Sequence, residues 1–88
     1  MQYMIIERVH PGKLKAMYER LEQKGRMLPE GLKYINSWIK QDLSICYQLM
    51  ETRDKVKLQE WIGHWNDLVD FEVIPVISSA EAKKKALG

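Results

Sequence analysis

Cysteine and long apolar stretches are the scarcest features of this 88-residue sequence. Its single cysteine, Cys46, has no partner for an intramolecular disulfide. No stretch reaches the ~18 to 20 consecutive apolar residues that a membrane-spanning helix requires. Charged residues such as Glu7 and Lys13 interrupt the opening segment, which argues against a secretory signal there. We therefore expect a cytoplasmic protein that does not engage a membrane.

Motifs that hold metals, nucleotides or cofactors are also lacking. The five glycines include no Gly-x-Gly pair that could cradle a phosphate. His10, Cys46 and His64 have no paired spacing of the Cys-x-x-Cys or His-x-x-x-His kind, so a metal site would require chance convergence. We expect neither a metal nor a cofactor.

Positive charge is scarce outside the C-terminal tail. The formal charge of +2 comes from 14 basic and 12 acidic residues, and three of the 14 are Lys83, Lys84 and Lys85. A nucleic-acid-binding protein would gather Lys and Arg with aromatic side chains on a folded face. Residues 1–78 contain no such cluster, and we expect no nucleic-acid partner.

The first half of the chain alternates strand and helix patterns. A β-branched and aromatic run predicts strand β1 over residues 2–9, before the turn residues His10-Pro11-Gly12. Apolar residues then recur at helical spacing over residues 14–28 and predict helix α1. Two further strand-like runs, residues 32–41 and 43–52, are separated by so few residues that they predict an antiparallel hairpin of β2 and β3.

The second half repeats the pattern once. Asp54 is suited to accept hydrogen bonds at the start of a helix, and the apolar stripe from Leu58 to Trp65 predicts α2. Residues 68–77 predict β4, and Pro75 places it at a sheet edge because proline cannot donate a ladder hydrogen bond. We interpret residues 1–78 as one domain and residues 79–88 as a tail, either a short helix or disordered, which opens on a Ser-x-x-Glu capping box.

This order predicts an α+β fold of ferredoxin-like βαββαβ type. Its four-stranded antiparallel sheet should have the order 4-1-3-2, with two helices on one face. The central strands are apolar on both sides, and two helices cover only one. The uncovered face spans roughly 400 Å², as much as monomers commonly expose. We therefore predict a homodimer, a dimeric α/β barrel with the two sheets face to face.

Four segments of the chain resemble a known family. These are the opening Tyr-Met-Ile-Ile-Glu-Arg, residues 25–32 (Gly-Arg-Met-Leu-Pro-Glu-Gly-Leu), residues 46–51 (Cys-Tyr-Gln-Leu-Met-Glu), and Trp61 with Trp65 ahead of the strand at residues 71–76. Together they are similar to a small bacterial family named domain of unknown function 3303. The resemblance implies membership of the dimeric α/β-barrel, ferredoxin-like superfamily. It brings no catalytic residues, although the wider superfamily includes cofactor-free monooxygenases, lactone isomerases and haem-binding enzymes.

Candidate ligand-binding residues lie on the predicted hairpin. Tyr34, Asn36 and Trp38 would share one face of β2, and Gln48 lies on β3. Aromatic rings with an amide would suit a flat, weakly polar ligand held by stacking and one or two hydrogen bonds. The alternative interpretation is that these are ordinary core and interface side chains.

Candidates for chemistry are few. His64, on the flank of the α2 stripe, and Glu51, at the end of β3, are weak candidates for a general acid or base. Glu7 and Glu51 are also positioned to pair with nearby arginines, which is the commoner role, whereas a buried carboxylate with a raised pKa would be a catalytic candidate. Cys46 in mid-strand is typical of a buried structural thiol.

Two functions therefore stay open. The first is a dimeric module that binds a small amphipathic ligand or has a structural role. The second is a cofactor-free enzyme, monooxygenase- or isomerase-like, acting on a small aromatic or lactone-like substrate. A large closed pocket with His64 or Glu51 pointing inward would favour the enzyme, and a filled core with His64 in solvent would favour the module.

Overall fold

Four strands and three helices follow one another in the order β-α-β-β-α-β-α. In the computed structural model, which describes residues 1–88, they are β1 (Gln2–Val9), α1 (Leu14–Lys24), β2 (Lys33–Ile39), β3 (Ile45–Glu51), α2 (Val56–Gly63), β4 (Val69–Val76) and α3 (Ser79–Leu87). The predicted order of the first six elements is confirmed, and the tail forms a third helix.

The strands form one antiparallel sheet in the order β2-β3-β1-β4. This is the predicted order 4-1-3-2, counted from the opposite edge. β1 lies between β3 and β4, so Glu7 faces Cys46 on one neighbour and Phe71 on the other. β4 is an edge strand, as Pro75 predicted.

Local side-chain chemistry sets the ends of the helices. α1 ends at Gly25, whose φ of +65° is a left-handed conformation that costs glycine little. Asp54 Oδ1 accepts a hydrogen bond from the Val56 N–H at 3.0 Å, directly before α2. Ser78 Oγ accepts one from the Glu81 N–H at 3.1 Å, so the predicted capping box starts α3.

The hydrophobic core lies between α1, α2 and one face of the sheet, here called the inner face. It contains Ile5, Met50 and Leu58, which have no exposed surface, together with Trp61 and Val69 at 1%. Because side chains alternate along a strand, the odd-numbered residues of β1 and the even-numbered residues of β3 occupy the inner face. The other side, the open face, has no helix packed on it.

An irregularity in β2 changes one expectation. The pairing of β2 with β3 shifts register between Tyr34 and Asn36, so one extra residue, Ile35, separates them. Tyr34 pairs with Met50 and lies on the inner face, whereas Asn36 pairs with Leu49 and lies on the open face. The expectation that Tyr34, Asn36 and Trp38 share one face is therefore wrong, because simple alternation does not survive a β-bulge.

The third helix lies outside the core. None of its residues is buried, and Leu87 is 78% exposed. No helix of the chain is long and apolar enough to cross a bilayer.

Removal of residues 79–88 should change the free energy of unfolding by less than about 0.5 kcal/mol, because the segment buries no side chain. Leu58→Ala should cost about 2 to 5 kcal/mol, because it empties a fully buried site. Urea unfolding of both variants beside the full chain measures this difference. A destabilised truncated chain would show that α3 packs on the domain.

Candidate functional site

A cavity of about 230 Å³ lies between the inner face of the sheet and the helices. Nine of its 13 lining residues are hydrophobic, and the polar ones are Glu7, Arg26, Ser37 and Gln48. Its wall is therefore mainly apolar with a few polar groups, the composition typical of small-molecule sites. The whole lining is Glu7, Val9, Met17, Tyr18, Leu21, Arg26, Ser37, Ile39, Leu43, Cys46, Gln48, Trp61 and Trp65.

A carboxylate and an amide form the polar centre of this cavity. Glu7 and Gln48 are only 6% and 7% exposed, because both project from central strands onto the inner face. The Gln48 side-chain N–H donates a hydrogen bond to Glu7 Oε2. The Cys46 thiol is a second, weak donor beside the carboxyl, no N–H or O–H of the protein donates to Glu7 Oε1, and no deeply buried polar side-chain atom lacks a partner. Oε1 is therefore accessible from the cavity.

Burial strongly affects the ionisation of Glu7. Removal from water raises the pKa of this carboxyl from 4.5 to about 7, against smaller opposing effects of the Gln48 hydrogen bond and the Arg26 charge. No lysine, arginine or histidine lies within ion-pair distance of Glu7. The carboxyl group therefore gains and loses its proton near neutral pH.

Arg26 is positioned by its backbone. Its carbonyl accepts hydrogen bonds from the indole N–H groups of both Trp61 and Trp65, at 3.0 and 3.1 Å. The Arg26 guanidinium carbon stands 3.8 Å from the centroid of the Tyr34 ring, a cation–π contact, and Nε donates to Gln48 Oε1 at 3.4 Å. Its terminal nitrogens have no hydrogen-bond partner in the protein. Arg26 thus holds Gln48 and keeps two donor groups free.

A hydroxyl pair lies beside this arginine. Tyr34 Oη and Ser37 Oγ are 2.6 Å apart, and Ser37 lines the cavity while Tyr34 backs Arg26. When the Tyr34 hydroxyl donates to Ser37, the Ser37 hydroxyl is free to donate to a ligand.

Cys46 lines the cavity but is poorly suited to nucleophilic chemistry. Its burial, followed by the nearby negative charge of Glu7, raises the pKa of the thiol to about 12. The thiolate is the reactive form of cysteine, so Cys46 stays a neutral thiol at physiological pH. No three metal-ligating side chains of the chain come together.

The predicted site residues separate into two groups. Gln48 lines the cavity and Tyr34 supports Arg26 beside it, whereas Asn36 and Trp38 lie on the open face. The ligand-binding role of all four stays a prediction.

Both weak catalytic candidates lie outside the cavity. His64 is exposed at the end of α2, and its carbonyl accepts a hydrogen bond from Arg20 Nη1 at 2.9 Å. Glu51 lies at the end of β3, where its Oε2 accepts from Gln2 Nε2 at 3.4 Å. The cavity gives neither side chain a role, although their part in catalysis stays a prediction.

Two cavity residues have a larger part in the structure than the sequence indicates. The sequence makes Glu7 a catalytic candidate only if its carboxyl is buried with a raised pKa, and offers Arg26 only as one of several arginines that could pair with a carboxylate. The signal for Glu7 was available: a carboxylate in a β-branched strand, in phase with the inward-facing residues Ile5 and Val9. Arg26 gave no such signal, because its place depends on an irregular loop in which Met27 adopts a φ of +58°.

Solved structures show a related fold. Rv0793 from Mycobacterium tuberculosis superposes with a TM-score of 0.54 and 16% identity, covering 91% of this chain and 99% of that chain. A protein from Chloroflexus aurantiacus J-10-fl, described as a candidate antibiotic biosynthesis monooxygenase, gives a TM-score of 0.45 and 19% identity, covering 89% and 96%. No curated protein matches the sequence. At these identities the likeness concerns the fold alone.

The topology defines a ferredoxin-like α+β domain. Within that class, the family model named domain of unknown function (DUF3303) matches residues 1–87. The chain belongs to this family, and the resemblance stated from the sequence is confirmed.

Ionisation of Glu7 should make the protein less stable as the pH rises. The pKa is 4.5 when the chain is unfolded and about 7 when it is folded, so the unfolded chain releases this proton first. The stability that the protonated Glu7 carboxyl contributes to the folded chain is fully present below pH 4.5 and is lost as the pH rises to about 7. The free energy of unfolding falls by about 3 kcal/mol over this range.

Glu7→Gln should remove this loss, because the amide stays neutral. The variant should be more stable than the unmodified chain above pH 7, by up to about 3 kcal/mol, and similar to it below pH 4.5. Urea unfolding across this range measures the effect, and Glu51→Gln, outside the cavity, should not reproduce it. Equal stability of the Glu7→Gln variant and the unmodified chain at both extremes would mean that Glu7 is solvated.

Proposed function

We propose that this protein binds a small, flat, largely apolar ligand in the cavity and fixes its orientation through Glu7. The observation that supports this most strongly is a carboxylate buried in a mostly apolar cavity, with one hydrogen bond from Gln48 and its second oxygen accessible. A ligand N–H or O–H would meet the ionised carboxylate at Oε1.

The energetic cost of Glu7 supports a functional role. A buried carboxyl group with one hydrogen bond is less favourable in a core than an apolar side chain of similar volume. The chain keeps it on the inner face of a central strand, where Ile5 and Val9 are its inward-facing neighbours. Departures of this kind from good core packing are typical of binding and catalytic sites.

The size of the cavity limits the ligand. At about 230 Å³ it is smaller than the ~300 to 1,000 Å³ typical of sites for drug-sized molecules. One ring or a fused pair of rings therefore suits it better than a nucleotide or a longer chain. The indole rings of Trp61 and Trp65 in its wall favour a planar aromatic ligand.

Nitrobenzimidazole, a flat fused ring with one N–H donor, is a suitable probe. It should quench the fluorescence of Trp61 and Trp65 and bind more weakly to Glu7→Gln by about tenfold, since a hydrogen bond to a charged group is worth roughly 1.5 to 3 kcal/mol. Trp38→Phe removes the indole on the open face, so the remaining signal comes from the cavity. Native mass spectrometry of the purified protein would detect a ligand already bound.

The control variants distinguish the cavity from the open face. Trp38→Phe should bind the probe as tightly as the unmodified chain, because Trp38 lies on the other side of the sheet. Equal binding by the unmodified chain and Glu7→Gln would contradict the proposed contact. Absence of probe binding would contradict the proposed function.

We also propose that the open face is covered by a second copy of the chain. Apolar side chains from all four strands form it, with Trp38 52% exposed. Four strands at ~4.8 Å spacing and ~20 Å length give a footprint of roughly 400 Å² on each copy. Two such footprints, roughly 800 Å² in total, fall below the ~1,200 Å² of stable specific interfaces, so we expect a weak homodimer. Its apolar residues are Met4, Ile6, Trp38, Ile45, Tyr47, Leu49, Ile74 and Val76.

Leu49→Lys should convert the dimer to a monomer, because it places a charge at the centre of this face, opposite Met4. Light scattering coupled to size exclusion, over a series of protein concentrations, measures the effect. Val56→Lys makes the same chemical change at an exposed site outside the face and should leave the dimer intact. A monomeric unmodified chain at high micromolar concentration would refute the dimer.

A further inference from the structure

Gln48 links Glu7 to Arg26 by hydrogen bonds, a connection that binding a ligand would not by itself require. A structural buried carboxylate normally makes a direct pair with a cation, whereas here Gln48 stands between Glu7 and Arg26. The amide donates to the carboxylate and accepts from the guanidinium, which keeps the two charges apart. Glu7 therefore has no cation bound to it that would hold it permanently ionised.

We infer that Glu7 is the general base of a proton transfer on a small carbon acid, an unsaturated cyclic ketone or lactone with an acidic C–H bond. The inference rests on the proposed binding function. Glu7 Oε1 faces the cavity, the terminal nitrogens of Arg26 are free donors on the same wall, and Gln48 fixes the position of both. Glu7 and Arg26 would be the catalytic residues and Gln48 the positioning residue.

The reaction is balanced without any added reagent. Glu7 Oε1 takes a proton from carbon, and the electron pair of that C–H bond moves to give an enolate. Hydrogen bonds from the Arg26 guanidinium and the Ser37 hydroxyl stabilise the charge on oxygen. The protonated Glu7 then returns the proton to the far carbon of the conjugated dienolate, where the new C–H bond forms as the C=C bond shifts. The product is an isomer of the substrate, so no oxidant or reductant is consumed.

The electrostatic surroundings suit this cycle. A base is most effective when its proton affinity matches the working pH, and burial gives Glu7 a pKa of about 7. The other titratable groups that line the cavity are Arg26, Cys46 and Tyr18. With Cys46 held as a neutral thiol, Glu7 is the group placed to exchange a proton near neutral pH.

Nitrobenzisoxazole tests the base directly, because one deprotonation completes its reaction. The base removes the ring C–H proton, that electron pair forms a nitrile, and the N–O bond breaks to release a coloured cyanonitrophenolate. The protein should accelerate this ring opening, with a rate that rises with pH through an inflection near 7. Glu7→Gln should lower kcat/KM by about 100-fold or more, and Glu7→Asp should retain part of the activity.

Glu22→Gln is the matched control, since it removes an exposed carboxylate of α1 outside the cavity, and it should keep full activity. Gln48→Leu should move the inflection of the pH profile to higher pH, because it removes the amide hydrogen bond that lowers the pKa of Glu7. Turnover that is unchanged in Glu7→Gln, or a flat pH profile, would overturn the inference.

The nitrobenzimidazole probe separates the two levels of failure. Binding of that probe without Glu7-dependent turnover would leave the proposed function standing and refute the proton transfer. Absence of binding would refute both.

Discussion

Two indole N–H groups that donate to one backbone carbonyl control the geometry of the site. Trp61 on α2 and Trp65 in the turn that follows it both donate to the carbonyl of Arg26. This contact ties the loop after α1 to the second helix and so closes one side of the cavity. The contact places the backbone of Arg26, and the guanidinium then packs on the Tyr34 ring and donates to Gln48, which in turn donates to Glu7. The Arg26 carbonyl oxygen therefore connects the packing of the two tryptophans with the polar groups of the cavity.

The same tryptophans also belong to the core. Trp61 packs edge-on against Phe71, with ring centroids 5.4 Å apart, and is only 1% exposed. Substitution there would disturb the fold and the site together, which makes the role of each indole hard to separate. Glu7 is different, because neutralising it removes a charge from the core without removing volume. It is the residue at which stability and function oppose each other most directly.

The sequence predicted the fold well because its signals are local and periodic. Alternating apolar residues located the strands, Pro75 marked an edge, and the number of strands and helices left one common topology. The site was predicted less well because it depends on exceptions to that periodicity. An extra residue in β2 separates Tyr34 from Asn36, and an irregular loop places Arg26. Neither can be read from a propensity or a spacing.

The bulge in β2 has an evolutionary consequence. Because side chains alternate, one extra residue in a regular strand would move every following side chain to the other face, and the bulge at Ile35 absorbs that shift. Loss of Ile35 would leave Tyr34 opposite Met50 and Asn36 opposite Leu49 in a regular ladder, with Ser37 still in the cavity wall. In a lineage of such domains, this edge strand can therefore gain or lose one residue while the cavity keeps the same side chains.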